Sequence, residues 1–223
     1  MLVTEHFTFA HIPKAGGEFL QDVIRAHFAI VQAFEGNTSH TPVDEVLEEK
    51  RFQPVFALVR NPWSWYVSWY TFCKTLGNNQ QFNDNYEPGP DSFKRTISNL
   101  LHPNHSNPDV NAFMRERNIG LLAMHCFHVL CMGVNIYDTS CGRMEHLAED
   151  FAGFLDAREI ACPDALLADL KGPATNTTEH QHYTSYYDDE LHTLVADKER
   201  HIIEAFGYRF GEGSNKGPKY FRS

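Results

Sequence analysis

The string HIPKAGG, at residues 11–17, sets Lys14 beside Gly16 and Gly17 at the end of a short apolar run. Glycines let a backbone approach an oxyanion closely, the amides that follow them donate hydrogen bonds, and Lys14 adds a movable positive charge. Such a segment can cradle a phosphate or sulfate group. It is not the magnesium-nucleotide loop G-x-x-x-x-G-K-[ST], because Lys14 precedes the glycines and no hydroxyl follows to hold the metal. Taken alone, the string could equally be a tight strand-to-helix turn that uses glycine for geometry.

A second group, RNPWSWYVSWY at residues 60–70, places Arg60 at the end of an apolar run and Ser68 eight residues on. An arginine at the carboxyl end of a strand lies where open α/β sheets bind ligands, and its planar fork suits a phosphate held by two bonds. Ser68 can add a hydrogen bond to the same group. By themselves, Arg60 could equally be a surface residue and the aromatics ordinary core.

The pattern that must position these residues alternates strand and helix. Residues 6–11 (HFTFAH) predict a short strand, and Phe19, Val23 and His27 with Leu20, Ile24 and Phe28 recur at i, i+4, which predicts a helix after the glycines. Strand, glycine turn and helix, in that order, present a helix N-terminus to an anion. Residues 42–51 predict a second, shorter helix and residues 54–60 (PVFALVR) a buried parallel strand. Asn61 as N-cap and Pro62 in the first turn then open another helix. Residues 77–91, rich in Asn, Gln, Gly and Pro, predict a long surface loop, a candidate lid or acceptor-binding element.

Helical spacing returns at 109–131 with a break near Asn118, Ile119 and Gly120, followed by a short strand at 134–137 and helices at 145–155 and 163–170. Residues 172–182 are turn-like, and a last amphipathic helix is expected from 188 to 206. No internal period repeats, which argues against solenoids and propellers. One domain over residues 1–210 is expected, with a tail at 211–223 too poor in apolar side chains to order itself.

Composition narrows the partners. The 223 residues are 42% hydrophobic, and 19 Lys plus Arg against 29 Asp plus Glu leave a net charge of −10, which disfavours a general nucleic-acid or anionic-membrane binder. Apolar stretches fall well short of the roughly 20 residues that span a bilayer, so no membrane insertion is expected. The start of the chain carries neither a basic region nor an apolar core of a secretory leader. Cys73, Cys126, Cys131, Cys141 and Cys162 are odd in number and form no C-x-x-C pair, which suggests reduced thiols and a cytoplasmic location.

Together, the HIPK-x-GG loop and the RNP…S-x-Y helix resemble the sulfotransferases that use 3′-phosphoadenylyl sulfate (PAPS), in a branch that includes carbohydrate sulfotransferases. RMEHLAEDF at 143–151 looks like that family's R-x-E-x-L-x-x-D-F stretch, and residues 176–210 are similar to its usual C-terminal segment. The resemblance implies an α/β fold, a three-layer P-loop-NTPase-like arrangement with a parallel sheet flanked by helices. It also implies transfer of a sulfuryl group from PAPS to an acceptor hydroxyl on a carbohydrate or small metabolite, with release of the 3′,5′-bisphosphate PAP and no metal.

Position by position, Lys14, Ala15, Gly16, Gly17, Glu18 and Phe19 match the family's 5′-phosphosulfate loop, with Lys14 stabilising the leaving group. Arg60 and Ser68 match the pair that binds the 3′-phosphate, and residues 176–183 resemble the segment that closes over the nucleotide, Tyr183 being its contact. Two hydroxyls usual in the loop are missing here, because Ala15 and Glu18 stand in their places.

His40 is the first candidate for the general base, since similar enzymes carry a histidine between the loop and the second strand and an imidazole titrates in a useful range. A loop histidine that caps a helix is its bland alternative. Glu18, Asp22 and His11 are reserve candidates, His11 reading as a structural strand residue. The pairs His125 with His128 and His180 with His182 lack a third ligand at a recognisable spacing, so no metal site is expected. A small-molecule kinase using ATP and a degenerate nucleotide-binding protein without turnover are the rival readings. The acidic surface disfavours a long polyanionic acceptor, and a neutral or compact one fits better.

Overall fold

The computed structural model describes residues 1–50, 52–77, 79–102, 108–131, 138–172 and 181–221. In chain order the elements are β1 (Leu2–Thr4), β2 (Thr8–Ala10), α1 (Gly17–His27), β3 (Ile30–Ala33), β4 (Val55–Val59), α2 (Pro62–Leu76), α3 (Gln80–Asn83), α4 (Ser92–Leu101), α5 (Pro108–Arg117) and α6 (Leu121–Val129). There follow β5 (Thr139–Arg143), α7 (Leu147–Asp156), α8 (Asp164–Leu170), α9 (Asp189–Lys198), α10 (Arg200–Phe206) and β6 (Lys219–Phe221). The strand expected at 134–137 and residues 176–180 of the expected closing segment lie outside the described residues. The chain divides into two compact units, one built from the described parts of 1–60, 125–177 and 216–223, the other from 61–124 and the described parts of 178–215.

The first unit is an α/β sheet with helices packed on it. Its strand order is β3-β1-β2-β4-β5-β6, with β2, β4 and β5 parallel and the outer strands antiparallel. Strand β4, VFALV, is buried at every position, as a central parallel strand covered on both faces must be. Helix α1 buries Leu20, Val23 and Ile24, the stripe that the i, i+4 spacing predicts. Helix α7 sets Phe151 and Phe154 against Phe56, with ring centroids 5.1 and 4.8 Å away, and both also meet Phe7 edge-on.

The block at 143–151 is structural. Arg143 closes β5 and grips Asp150 of α7 by two bonds, Nη2 to Oδ1 at 2.7 Å and Nε to Oδ2 at 2.8 Å, while its own backbone N–H donates to Oδ2 at 2.7 Å. The Asp150 side chain is buried, so this pair locks the helix to the sheet by charge-assisted bonds shielded from water.

Several expectations are corrected here. Of the helix expected at 42–51, the described residues 42–50 form two single 3₁₀ turns instead, Val43–Glu45 and Glu48–Lys50. Among the described residues there, only Val43 and Val46 are buried, which is enough to pin a turn but not to anchor a helical stripe. Strands β1 and β3 are too short to show a period in the sequence. In the tail, Lys219–Phe221 pairs with β5, and Lys216 O accepts from Arg143 Nη1 at 2.8 Å. Strand pairing draws on the backbone, which composition does not register.

The second unit centres on α2. Asn61 caps it by accepting from Ser64 N–H, Pro62 occupies its first turn, and Gly77 ends it in the left-handed conformation. Trp63, Trp65, Tyr66, Val67, Trp69, Tyr70 and Cys73 are all buried, so the helix is covered on nearly every side. The expected surface loop at 77–91 is instead partly folded: α3 starts at an Asn79 cap and drives Phe82 against Trp69 and Tyr70, each at 5.6 Å between centroids. One buried aromatic outweighs the polar composition around it.

The expected break between α5 and α6 is present, with Asn118 left-handed at φ 50°. The last helix, expected to run unbroken, divides at Glu199 into α9 and α10. Glu199 turns inward to accept hydrogen bonds from Tyr66 Oη at 2.6 Å and from the Leu122 and Ala123 amides at 3.0 Å each. It thereby caps the start of α6, a tertiary demand that overrides helical continuity.

Candidate functional site

In the first unit, β2 ends at Ala10, and six residues carry the chain over the carboxyl edge of the sheet into α1. Lys14 and Gly16 in this loop are both left-handed, at φ 57° and φ 80°. Left-handed lysine is uncommon and costs backbone energy, so its presence marks a segment held in shape by its surroundings. Alternating such residues with ordinary ones turns successive amides toward one concave side, where an anion can sit. Leu20 N–H, bonded to Gly16 O at 3.3 Å, makes the first helical bond of α1, so the amides of Gly17, Glu18 and Phe19 precede the helical ladder, the place where a helix start can meet an anion.

The two glycines are needed for different reasons. Gly16 takes the left-handed N-cap position, where a Cβ would also meet Met144 Cγ at 2.9 Å. Gly17 lies under the His11 ring, and a Cβ there would fall 2.0 Å from His11 Cδ2. Ala15, which precedes them, is buried.

Arg60 leaves the carboxyl end of β4, the parallel neighbour of β2, and its Nη1 donates to Lys14 O at 3.4 Å. A second positive charge is therefore fastened to the same loop. In the first unit Lys14, Ala15, Gly16, Gly17, Glu18, Phe19 and Arg60 lie at the carboxyl ends of the neighbouring strands β2 and β4.

His40 joins them. Its Nδ1–H donates to His11 O at 2.8 Å, and the two rings are 4.6 Å apart. With the proton on Nδ1, Nε2 is the acceptor, the form a general base needs. Burial lowers the pKa of His40 below its ordinary 6.5, the bond to His11 O and the charge of Glu18 pull it back up, and Lys14 adds to the lowering. His40 thus stays neutral near pH 7. The pKa of His125 on α6 is lowered to about 3, by burial first and then by His40 and His128.

The reserve candidates separate by exposure. Glu18 and Asp22 are both exposed on α1, whereas His11 is buried. The ring of His11 is held by Gln21, whose amide nitrogen donates to His11 Nδ1 at 2.8 Å. His11 was read as a strand residue, but β2 ends before it. Its position one residue past a parallel strand's carboxyl end was the available signal.

The second unit holds the other two expected residues. Ser68 is buried on α2. Tyr183 is partly exposed on the 3₁₀ turn Tyr183–Tyr186; its hydroxyl accepts from Gly211 N–H at 2.7 Å and its ring meets Phe210 edge-on. Phe210 also touches Trp63, Tyr187 and His192, so Tyr183 belongs to an aromatic group at the beginning of α2. Among the described residues, no group of three or more His, Cys, Asp or Glu side chains gathers to hold a metal, and no helix is long and apolar enough to cross a membrane.

No protein-family model matches the chain, and no curated protein is similar to it. Among solved structures it is similar to mouse sulfotransferase SULT7A1 complexed with PAP, at 12% identity and a TM-score of 0.48, over 91% of this chain and 82% of that one.

Proposed function

We propose that the chain is a PAPS-dependent sulfotransferase acting on an acceptor hydroxyl, on a carbohydrate or a small metabolite, by in-line transfer. One observation carries this reading: the loop with left-handed Lys14 and Gly16 opens onto the start of α1 and is tied by Lys14 O to the Arg60 guanidinium. Two positive charges beside a glycine-opened helix start, without the magnesium-holding hydroxyl of a nucleotide-triphosphate loop, suit a phosphosulfate rather than a metal-bound triphosphate. In the family pattern Arg60 and Ser68 take the 3′-phosphate, and Tyr183 contacts the nucleotide.

The reaction then needs positioning and electrostatics more than covalent help. His40 Nε2 accepts the proton of the acceptor hydroxyl as its oxygen bonds to sulfur. The bond from sulfur to the bridging oxygen of the 5′-phosphate breaks, and the electron pair stays on that oxygen. Lys14 and the amides of the first turn of α1 stabilise this charge, and PAP leaves. We assign the protein to the cytoplasm, a reading supported by five cysteines that form no disulfide among the described residues.

Calorimetry with PAP, ADP and ATP tests the donor, and an acceptor panel assayed for PAP release from PAPS tests turnover. Selective binding of PAP with product release is expected. Tighter binding of ATP would replace the reading with a kinase, and PAP binding without turnover on any acceptor would replace it with a binding protein.

A further inference from the structure

We propose that His11 is an anion-binding residue of this loop, its Nε2–H supplying a hydrogen bond to the oxyanion at the start of α1. The inference rests on the phosphosulfate reading of the loop and assigns to the imidazole the place of the hydroxyls that Ala15 and Glu18 lack.

Two independent observations meet at one point. The first is the loop with left-handed Lys14 and Gly16 that leads into the first turn of α1, an 11-residue helix. The second is a polar ring, only 6% exposed, lying against the first residue of that helix. Its Nδ1 is already used, because the Gln21 amide donates to it, so the ring proton resides on Nε2. Its Nε2 lies 2.3 Å from where a Gly17 Cβ would be, which puts the N–H at the helix entrance. Among the described residues Nε2 makes no hydrogen bond. The residue is almost wholly enclosed, yet Nε2 is not among the atoms sealed from solvent, so its N–H is open to a ligand at the loop.

The charge state suits the task. Burial, then the neighbouring His40, lowers the His11 pKa to about 3, so the ring remains a neutral donor throughout the neutral range. Lys14 and Arg60 already supply positive charge, and a neutral donor adds direction without a further buried cation. His11 therefore serves twice, its backbone carbonyl orienting His40 and its ring meeting the anion.

The test compares wild type with His11→Phe, which keeps the ring and removes the donor, and with His11→Gln, whose amide nitrogen reaches a similar place. His11→Phe should lose about tenfold or more in affinity for adenosine 3′,5′-bisphosphate, as expected for a hydrogen bond to a charged group. It should bind adenosine 3′-monophosphate as the wild type does, and His11→Gln should recover part of the loss. Imidazole nitrogen NMR on the wild type requires no variant to fold: the His11 Nε2 signal should move on adding the bisphosphate or inorganic phosphate, and not on adding adenosine.

Unchanged bisphosphate affinity in His11→Phe, with a still Nε2 signal, would overturn the role of His11 and leave the donor reading in place. A moving signal with inorganic phosphate, but no added affinity for the bisphosphate, would support the anion site and overturn the PAPS reading. Binding of neither would overturn both.

Discussion

Replacing Glu199 with glutamine should abolish a pH dependence of stability that the wild type carries. Two effects compete at this side chain. Three donors, Tyr66 Oη at 2.6 Å and the Leu122 and Ala123 amides at 3.0 Å, favour the carboxylate. Opposing them is complete burial, since Glu199 is 0% exposed. Burial is the larger, and it raises the pKa from 4.5 to about 7 in spite of the hydrogen bonds. The folded chain then keeps a proton that the unfolded chain has released, so stability falls as pH rises through this window. The contribution is present in full below 4.5, is lost by about 7, and amounts to about 3 kcal/mol.

Glutamine has no such proton. Urea unfolding read by tryptophan fluorescence reports on the relevant unit, because Trp63, Trp65 and Trp69 all lie on α2 beside Tyr66. The wild type should gain about 3 kcal/mol relative to Glu199→Gln on going from above 7 down to 4.5, and comparing the two cancels every other titrating group. A difference that is flat with pH would refute the reasoning, since it would mean that the three donors outweigh burial and the carboxylate never takes up its proton.

Removing Asp150 leaves the Arg143 guanidinium facing a buried gap, and Asp150→Ala should cost about 3–5 kcal/mol in chemical denaturation; a cost below about 1 kcal/mol, typical of an exposed pair, would deny the lock between β5 and α7. The rate against pH should keep its basic form of His40 to below 6.5, because burial lowers that pKa, and His40→Ala should lose this acid limb together with most of the turnover; a limb that persists in the variant would assign the base elsewhere. Lys14→Ala should reduce turnover far more than PAP affinity, whereas Arg60→Ala should weaken PAP by about 2 kcal/mol or more relative to the plain 5′-nucleotide. Calorimetry and steady-state rates separate the two, and an unchanged preference for PAP in Arg60→Ala would remove it from the 3′-phosphate.

Much of the site is legible in the sequence because its signals are local. Gly16 and Gly17 announce a tight turn into a helix, the run at 54–60 announces a buried strand with Arg60 at its end, and Asn61 with Pro62 announces the helix that follows. Each depends on residues within a few positions of one another, through backbone conformation, capping or periodicity. The break near Asn118 is read for the same reason. Other features depend on partners far along the chain. His11 and His40 are 29 residues apart, and their hydrogen bond exists because α1 and β3 return the chain to the edge of the sheet. The division of the last helix at Glu199 is set by amides 76 and 77 residues away, which no local helix propensity can register. The pairing of β6 with β5 and the folding of α3 under Phe82 belong with these: composition describes what a segment can do alone, while burial against a distant partner supplies the free energy that settles what it does.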